Sequence, residues 1–445
     1  MASRPRFGAD SVAALLSAAF SLFAQAPIPP GAARAFTGAT VIDGTGAQPI
    51  RDAVIVVQGG RVIAVGPAGT TVVPPAAERI DLPGRTIIPG LINAHGHVGS
   101  TAGLRSGEAV NTEDNVRRQL ALTARYGVTT IVSLGDDREA GFRMRDTNDR
   151  TGLDRSRLYV AGPVVNARTP AEARAAVETA AGLKPDWIKI RVDDNLGTTE
   201  KMQPEVYRAV IEQAHARGLR VAAHLFYLED AKGLLRAGVD LLAHSVRDVP
   251  VDRELIELMK ARGVCLCPTL MREVSTFVYE SRPAFFDDPF FRREVEPGLL
   301  AALEDPARQA GVAASRSAQA YKKALEVARA NVKSLHAAGI GIASGTDTGP
   351  PARFQGYFEH LELEELVKSG LGPSDALFVS TGGAARCLGL SDHLGTLQPG
   401  RWADLIVLSR SPLDDIRNTR TIESVWIAGN RVPGAQTGDQ EIRRR

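Results

Sequence analysis

The chain has 445 residues, of which 44% are hydrophobic and 23% charged, and its formal net charge is +2. That is enough apolar material for a large core, and a βα barrel of ~250 residues with a smaller second unit would account for the length. No run of Lys or Arg is long enough to follow a phosphate backbone, which argues against nucleic acid as a partner.

In chain order, the N-terminus reads first as a targeting segment. Arg4 and Arg6 give a positive start, Val12 to Phe23 is apolar, and Ala24-Gln25-Ala26 has the small-x-small form of a cleavage site. The apolar run is shorter than the ~20 residues of a spanning helix. Residues 1–26 are therefore expected to be a signal peptide cleaved near Ala26, giving an exported (periplasmic or secreted) protein with no membrane segment in its mature form. An uncleaved anchor or an ordinary helix is the alternative.

Residues 34–88 read as β. Ala53–Val57 and Arg61–Val65 flank Gly59-Gly60, a hairpin signal. The other end repeats the pattern: Ala403–Leu408 reads as a strand, and Val425–Ala428 and Arg431-Val432 flank Gly429-Asn430. Residues 34–88 and 394–433 are thus expected to form one small discontinuous β-sandwich domain, followed by a tail over 434–445.

Residues 89–393 alternate between helical and strand patterns. Strands are expected near 91–97, 128–134, 158–165, 186–192, 219–225, 239–245, 264–270 and 340–346. Five are preceded by a glycine that ends a helix: Gly127, Gly218, Gly238, Gly263 and Gly339. Eight strands with intervening helices predict an α/β fold closed as a (β/α)8 TIM barrel. An open doubly wound sheet is the runner-up, but no Gly-rich phosphate loop follows the first strand. Residues 271–312, with Pro283, Pro289, Pro297 and Pro306, form a long insertion after the seventh strand, of the kind that shapes or covers an active site. Further helical stretches are expected around 357–369 and 373–388. Three cysteines, Cys265, Cys267 and Cys387, are too few and too odd for a disulfide framework. Cys265 and Cys267 share a strand face and are expected to pack in the core.

Four of the eight histidines fall at strand ends. His95 and His97 lie two apart on the first strand and so face the same way. His224 ends the fifth strand, His244 the sixth, and Asp347 the eighth. In a barrel these all converge at the C-terminal face, where imidazole and carboxylate suit Zn, Mn, Fe or Co. Each alone is more often an ordinary hydrogen-bonded polar group; the joint placement is the signal. His215, His336, His360 and His393 lie in helical or turn-rich stretches and receive no role. Lys189 shares a strand face with Trp187 and Arg191. It is either an ion-pairing lysine or an amine that takes up CO2 to become a carbamate, an anion with two oxygens that can bridge two cations. Asp136 and Asp137 read as solvated loop carboxylates.

Pro89-Gly90-Leu91-Ile92-Asn93-Ala94-His95-Gly96-His97 and Leu394-Gly395-Thr396-Leu397-Gln398-Pro399-Gly400-Arg401-Trp402-Ala403-Asp404-Leu405 resemble the motifs at which the amidohydrolase superfamily enters and leaves its barrel, in the imidazolonepropionase-like and Xaa-Pro dipeptidase-like branch. The resemblance runs from about 36 to 433. It implies a pair of divalent ions, with zinc as the expected metal. His95, His97 and Asp347 would hold one ion and His224 and His244 the other. Lys189, as a carbamate formed with CO2, and a hydroxide would bridge them. On that count two dications and three anions leave a net +1, which suits a polarised carbonyl and its developing anion. The reaction expected is hydrolysis of an amide or peptide-like C–N bond in a small molecule: an N-acyl amino acid, a dipeptide or a cyclic amide. Asp347 would move the proton as base and then acid. Arg247 would clamp a substrate carboxylate, unless it pairs with Asp248 or Asp193, and Tyr227 is a second candidate contact. Phe226 stands where the dipeptidase-like branch would have a tyrosine. The rivals are a mononuclear ring C–N hydrolase or deaminase of the same fold, a lactonase or phosphotriesterase, and a non-catalytic scaffold. A homo-oligomer is left open.

Overall fold

Residues drawn from both ends of the chain form one eight-stranded sheet. The computed structural model describes residues 31–435, so the expected signal peptide and most of the expected tail lie outside the described residues. The strand order is Asn430–Arg431, Ile422–Ile427, Leu405–Leu408, Thr86–Pro89, Arg34–Val41, Ile50–Gln58 and Arg61–Pro67, with Glu78–Asp81 also paired to Arg34–Val41. The first hairpin turns at Gly59-Gly60, both at positive φ, as a tight turn between twisted strands requires. The second turns one residue earlier than expected, at Ala428-Gly429, because Ile427 pairs with Asn430.

The same end sheet is tied to the middle of the chain by Asp404. Its Oδ2 takes the buried Arg157 guanidinium at 3.0 Å, and its Oδ1 accepts from Ala428 N at 2.7 Å. The Arg157 guanidinium also lies 4.5 Å from the Trp402 ring. A carboxylate two residues after this tryptophan thus joins two parts of the fold.

The middle holds parallel strands in two ladders. One runs Arg157–Val160, Val128–Ser133, Leu91–Gly96. The other runs Val164–Val165, Trp187–Val192, Arg220–Leu225, Leu241–Ala243, Cys265–Cys267. Helices between them bury one face. Glu113–Arg125, capped by Thr112, buries Val116, Leu120 and Ala124 at four-residue spacing. All five helix-ending glycines have positive φ.

Two expected strands differ. The third is split at Gly162-Pro163, since Gly162 has φ 72 and proline has no N–H to give a ladder. The eighth is reduced to single bridges, Leu266 with Ile342 and Gly96 with Thr348. Its backbone bonds scatter: Ala343 N goes to Leu266 O, Ser344 N to Val379 O, and Asp347 N to His95 O.

The cysteine expectation is overturned in part. Cys265 and Cys387 form a disulfide across 122 residues, with Cα atoms 5.8 Å apart; only Cys267 is a buried thiol. The pairing joins a strand to the helix Gly382–Leu388, a proximity that spacing along the chain does not encode. The long insertion folds as short helices, three of them opened by Pro289, Pro297 and Pro306. Its aromatic residues stack on the flank: Phe291 meets Phe354 and Tyr357, and Arg125 grips Glu294. No helix among the described residues is long and apolar enough to cross a membrane.

Candidate active site

His95 and His97 emerge from the same face of Leu91–Gly96, with ring centres 5.6 Å apart. The His95 ring lies 4.7 Å from that of His244, and His244 lies 4.2 Å from His224. Asp347 Oδ1 is 2.9 Å from His97 Nε2 and 3.5 Å from His95 Nε2. Lys189 Nζ is 3.2 Å from His95 Nε2. The four histidines, the lysine and the aspartate therefore meet. Three of them, His95, His97 and Asp347, present ligand atoms within 4.8 Å of one another and can hold a metal ion.

Three of the four rings hold a partner on one nitrogen. His97 Nδ1 faces Gly135 O at 3.1 Å, His224 Nε2 faces Asp193 Oδ2 at 2.7 Å, and His244 Nδ1 bonds Thr269 Oγ1. Such bonds aim a ring and fix which nitrogen is free to coordinate. His244 Nε2 and His95 Nδ1 are buried with no hydrogen-bond partner among the described residues. A buried polar atom without a partner is costly, and a divalent cation is the partner that unprotonated imidazoles accept. The donor set therefore fits a metal.

Electrostatics agree. Burial drives His95 and His244 well below the usual imidazole range and His224 down to about 3, so these rings are neutral, the form that binds metals. His97 goes the other way: burial opposes its charge most strongly, but the Asp347 hydrogen bond and charge, with the Gly135 carbonyl, together outweigh it and raise the ring above its usual value. Asp347 is held well below the carboxylate range in spite of its burial, with Arg353 the strongest stabiliser of its charge. Burial brings the Lys189 amine down to about 8.

The backbone is bent to make the site. Asp347 has φ 56 and Thr269 φ 51. The left-handed region is uncommon for any L residue and rarer for a β-branched one. Behind the ligands lies a buried polar plug. Asn93 Oδ1 accepts from His95 N and Thr346 N, and its Nδ2 donates to Glu359 Oε1 at 2.6 Å. Thr348 Oγ1 donates to the same carboxylate oxygen.

The sequence pointed to none of Thr269, Arg353, Asn93 or Glu359. Asp193, expected only as an alternative partner of Arg247, shares period two with Lys189 and Arg191 and holds His224. Arg247 is buried and turns to Glu273, with Nε 3.0 Å from Oε1. Its expected partner Asp248 instead accepts from Leu228 N. The Tyr227 hydroxyl donates to Asp194 at 2.8 Å. Asp137 is not a solvated carboxylate: it is buried, accepts from Ala161 N and Gly162 N, and burial raises it to about 7. Asp136 is exposed, as expected. A crevice of about 100 Å³ between the insertion and Glu113–Arg125 is lined by Gly349, Arg353 and Gln355 beside this site; no histidine of the array lines it.

A cluster of imidazoles, three of them neutral, and an ionised carboxylate, gathered at one end of the parallel strands, defines an α/β protein of metal-assisted hydrolysis. The chain belongs to the amidohydrolase family, whose model matches residues 86–432. The family is metal-dependent, and the protein is a hydrolase acting on carbon–nitrogen bonds. Among relatives, ochratoxinase from Aspergillus niger is 27% identical over 290 residues, covering 62% of this chain and 52% of that protein. Imidazolonepropionase from Deinococcus deserti is 38% identical over 99 residues, covering 21% and 24%. Among solved structures, a Xaa-Pro dipeptidase with bound methionine superposes with a TM-score of 0.73 at 21% identity, covering 90% of this chain and 99% of that one; that likeness carries the fold.

Proposed function

We propose that the protein is a binuclear metal hydrolase that cleaves an amide or peptide-like bond of a small molecule. The observation that carries the reading is Lys189: a buried amine 3.2 Å from His95 Nε2, inside an array of four imidazoles. Asp347 is the one carboxylate of the array that an ammonium could pair with, whereas a carbamate would bridge two ions. His95, His97 and Asp347 would hold one ion, His224 and His244 the other, and carboxylated Lys189 both. Two divalent ions there, zinc in our reading, would polarise the scissile carbonyl and make a water nucleophile available near neutral pH. Asp347 takes the proton of that water and passes it to the leaving nitrogen. Arg353, bonded to the Asp347 carboxylate, orients it. Arg247 and Tyr227 border the site and would contact substrate.

The architecture we propose is a closed (β/α)8 barrel over 89–393 with a β-sandwich over 34–88 and 394–433. Supporting closure, Leu266 N bonds Gly341 O, Ala94 N bonds Ser344 O, and Asp186 N bonds Val160 O, which link the two ladders and the 340–348 segment. Supporting a sandwich, Phe36, Ile55, Ile87, Leu405 and Trp426 share one apolar cluster within the end sheet. Export after cleavage near Ala26 is also proposed, and the Cys265–Cys387 disulfide suits an oxidising compartment.

A second reading keeps one ion. Only His95, His97 and Asp347 form the tight group, and Asp193 already occupies His224 Nε2. Metal analysis of the purified protein separates the two readings: two equivalents per chain are expected, falling to one or fewer in Lys189→Met. A single equivalent in the wild type, unchanged in Lys189→Met, sinks the binuclear reading.

A further inference from the structure

Thr269 stands at the N-cap of the helix Leu270–Phe277, where a threonine ordinarily turns its hydroxyl to the first free N–H groups of the helix. Here the hydroxyl caps nothing. It is bonded to His244 Nδ1, and the Thr269 backbone is left-handed, with φ 51 and ψ 48, instead of extended as an N-cap normally is. The helix start is satisfied all the same. Arg272 N donates to Thr269 O at 2.9 Å, and the two N–H groups before it go to a different helix. Leu270 N donates to Glu362 Oε1 at 2.9 Å and Met271 N to Glu362 Oε2 at 2.7 Å. Glu362 and Thr269 are both fully buried, so water cannot stand in for either bond.

Glu362 belongs to the helix Tyr357–Lys368, which also carries Glu359. Residues three apart share a helix face, so one face sends two buried carboxyl groups toward the ligands. Glu359 accepts from Asn93, Thr346 and Thr348 behind His95 and Asp347. Glu362 fastens the turn behind His244. A third buried acid of this helix, Glu365, turns instead to Arg329 and Lys368. A left-handed threonine persists only where its surroundings hold it. Two N–H groups fixed on one carboxyl group pin the residues that follow Thr269 and supply that hold.

We propose that Glu362 is a positioning residue of the site: it caps the Leu270–Phe277 helix in place of Thr269, which leaves the Thr269 hydroxyl committed to His244. This rests on the reading of His244 as a metal ligand. His244 Nε2, buried and without a partner among the described residues, is then the nitrogen turned to the ion. When Glu362 loses an acceptor, an unpaired N–H at the helix start competes for the Thr269 hydroxyl, and the His244 ring loses its anchor.

The test uses Glu362→Gln, which loses one acceptor, Glu362→Asp, which loses reach, and Thr269→Val, which loses the hydroxyl. Glu365→Gln controls for removing a buried acid from the same helix, and thermal melts report folding. The first readout is the NMR shifts of the His244 ring nitrogens in metal-stripped protein carrying isotope-labelled histidine, assigned by their absence in His244→Asn. Wild type should show one fixed tautomer. Both Glu362 variants should move toward the averaged shifts of Thr269→Val, while Glu365→Gln stays with wild type. The second readout is zinc competition with a chelator. Glu362→Gln should weaken zinc by about tenfold, the low end for a residue that supports a ligand. It should weaken zinc no further in a Thr269→Val background, because both changes act through one hydroxyl. His244 shifts unchanged in both Glu362 variants, equal shifts in Glu365→Gln, or zinc losses that simply add in the double variant overturn the assignment. A single zinc equivalent in wild type defeats the two-ion reading alone, since the ring nitrogens report on Glu362 with no metal present.

Discussion

Asn93 offers the sharpest test of how the ligands are held. Replacing it with leucine keeps the volume, so no cavity forms, and removes only the hydrogen bonds. His95 N loses its acceptor, while Thr346 N keeps a second one, His95 O at 3.1 Å. Glu359 Oε1 loses the closest of its donors. One stranded buried N–H costs about 1–3 kcal/mol, and a donor lost from a charged acceptor about 1.5–3 kcal/mol, so the sum should fall near 3–5 kcal/mol. That is a large share of the ~5–15 kcal/mol by which domains are stable. Because the stranded N–H belongs to a ligand and Thr346 precedes Asp347, metal retention should fall with stability. Urea unfolding of metal-stripped protein measures the first, and competition with a chelator the second. Asn93→Asp should be no better, since it keeps the acceptor for His95 N but sets a carboxylate where an amide had donated to Glu359. If Asn93→Leu costs less than about 1 kcal/mol, below a typical net hydrogen bond, and holds metal as the wild type does, the plug does not support the ligands.

Asp404→Asn keeps an oxygen for Ala428 N but leaves the buried Arg157 charge with only the exposed Asp149 carboxylate, 3.9 Å away. It should cost about 3–5 kcal/mol in denaturant unfolding, and a loss under 1 kcal/mol would refute the clamp. Glu362 supplies a pH dependence. Burial raises it to about 8 although Leu270 N and Met271 N both donate to it. The folded chain therefore keeps a proton that the unfolded chain releases near 4.5. Stability should fall as pH rises between those values, by up to about 1.4 kcal/mol per pH unit, and level off above them. The profile of Glu362→Gln should lack that slope, and identical profiles for the two proteins would rule out the effect.

What the sequence disclosed is what local rules govern. Strand ends were legible because side chains alternate with period two and a glycine must end each preceding helix at positive φ, as it does at Gly127, Gly218, Gly238, Gly263 and Gly339. Histidine and aspartate at those ends stood out because few residue types bind metals. The eighth strand was legible as a position but not as a strand, since its backbone groups bond to three different elements. The disulfide was illegible because its partners lie 122 residues apart. Arg272, Glu273 and Glu359 sit on helices, where a charged residue ordinarily means a solvated face; only tertiary packing buries them.

The same contrast explains why the residues that aim the ligands escaped notice. A ligand is chosen by the bond it makes, so its chemistry is restricted. The group that holds a ligand's far side needs only a suitable atom at the right distance. Here a backbone carbonyl does this for His97, a hydroxyl for His244 and a carboxylate for His224. Three unrelated chemistries serve one purpose, so no residue pattern can encode it. Two residues of that layer differ from expectation: Asp137, expected as a solvated carboxylate, holds backbone N–H groups, and Arg247, expected to clamp substrate or else pair with Asp248 or Asp193, lies against Glu273 of the helix Leu270–Phe277. Reading such a layer requires knowing which atoms are already satisfied, and that is a property of the fold rather than of any stretch of chain.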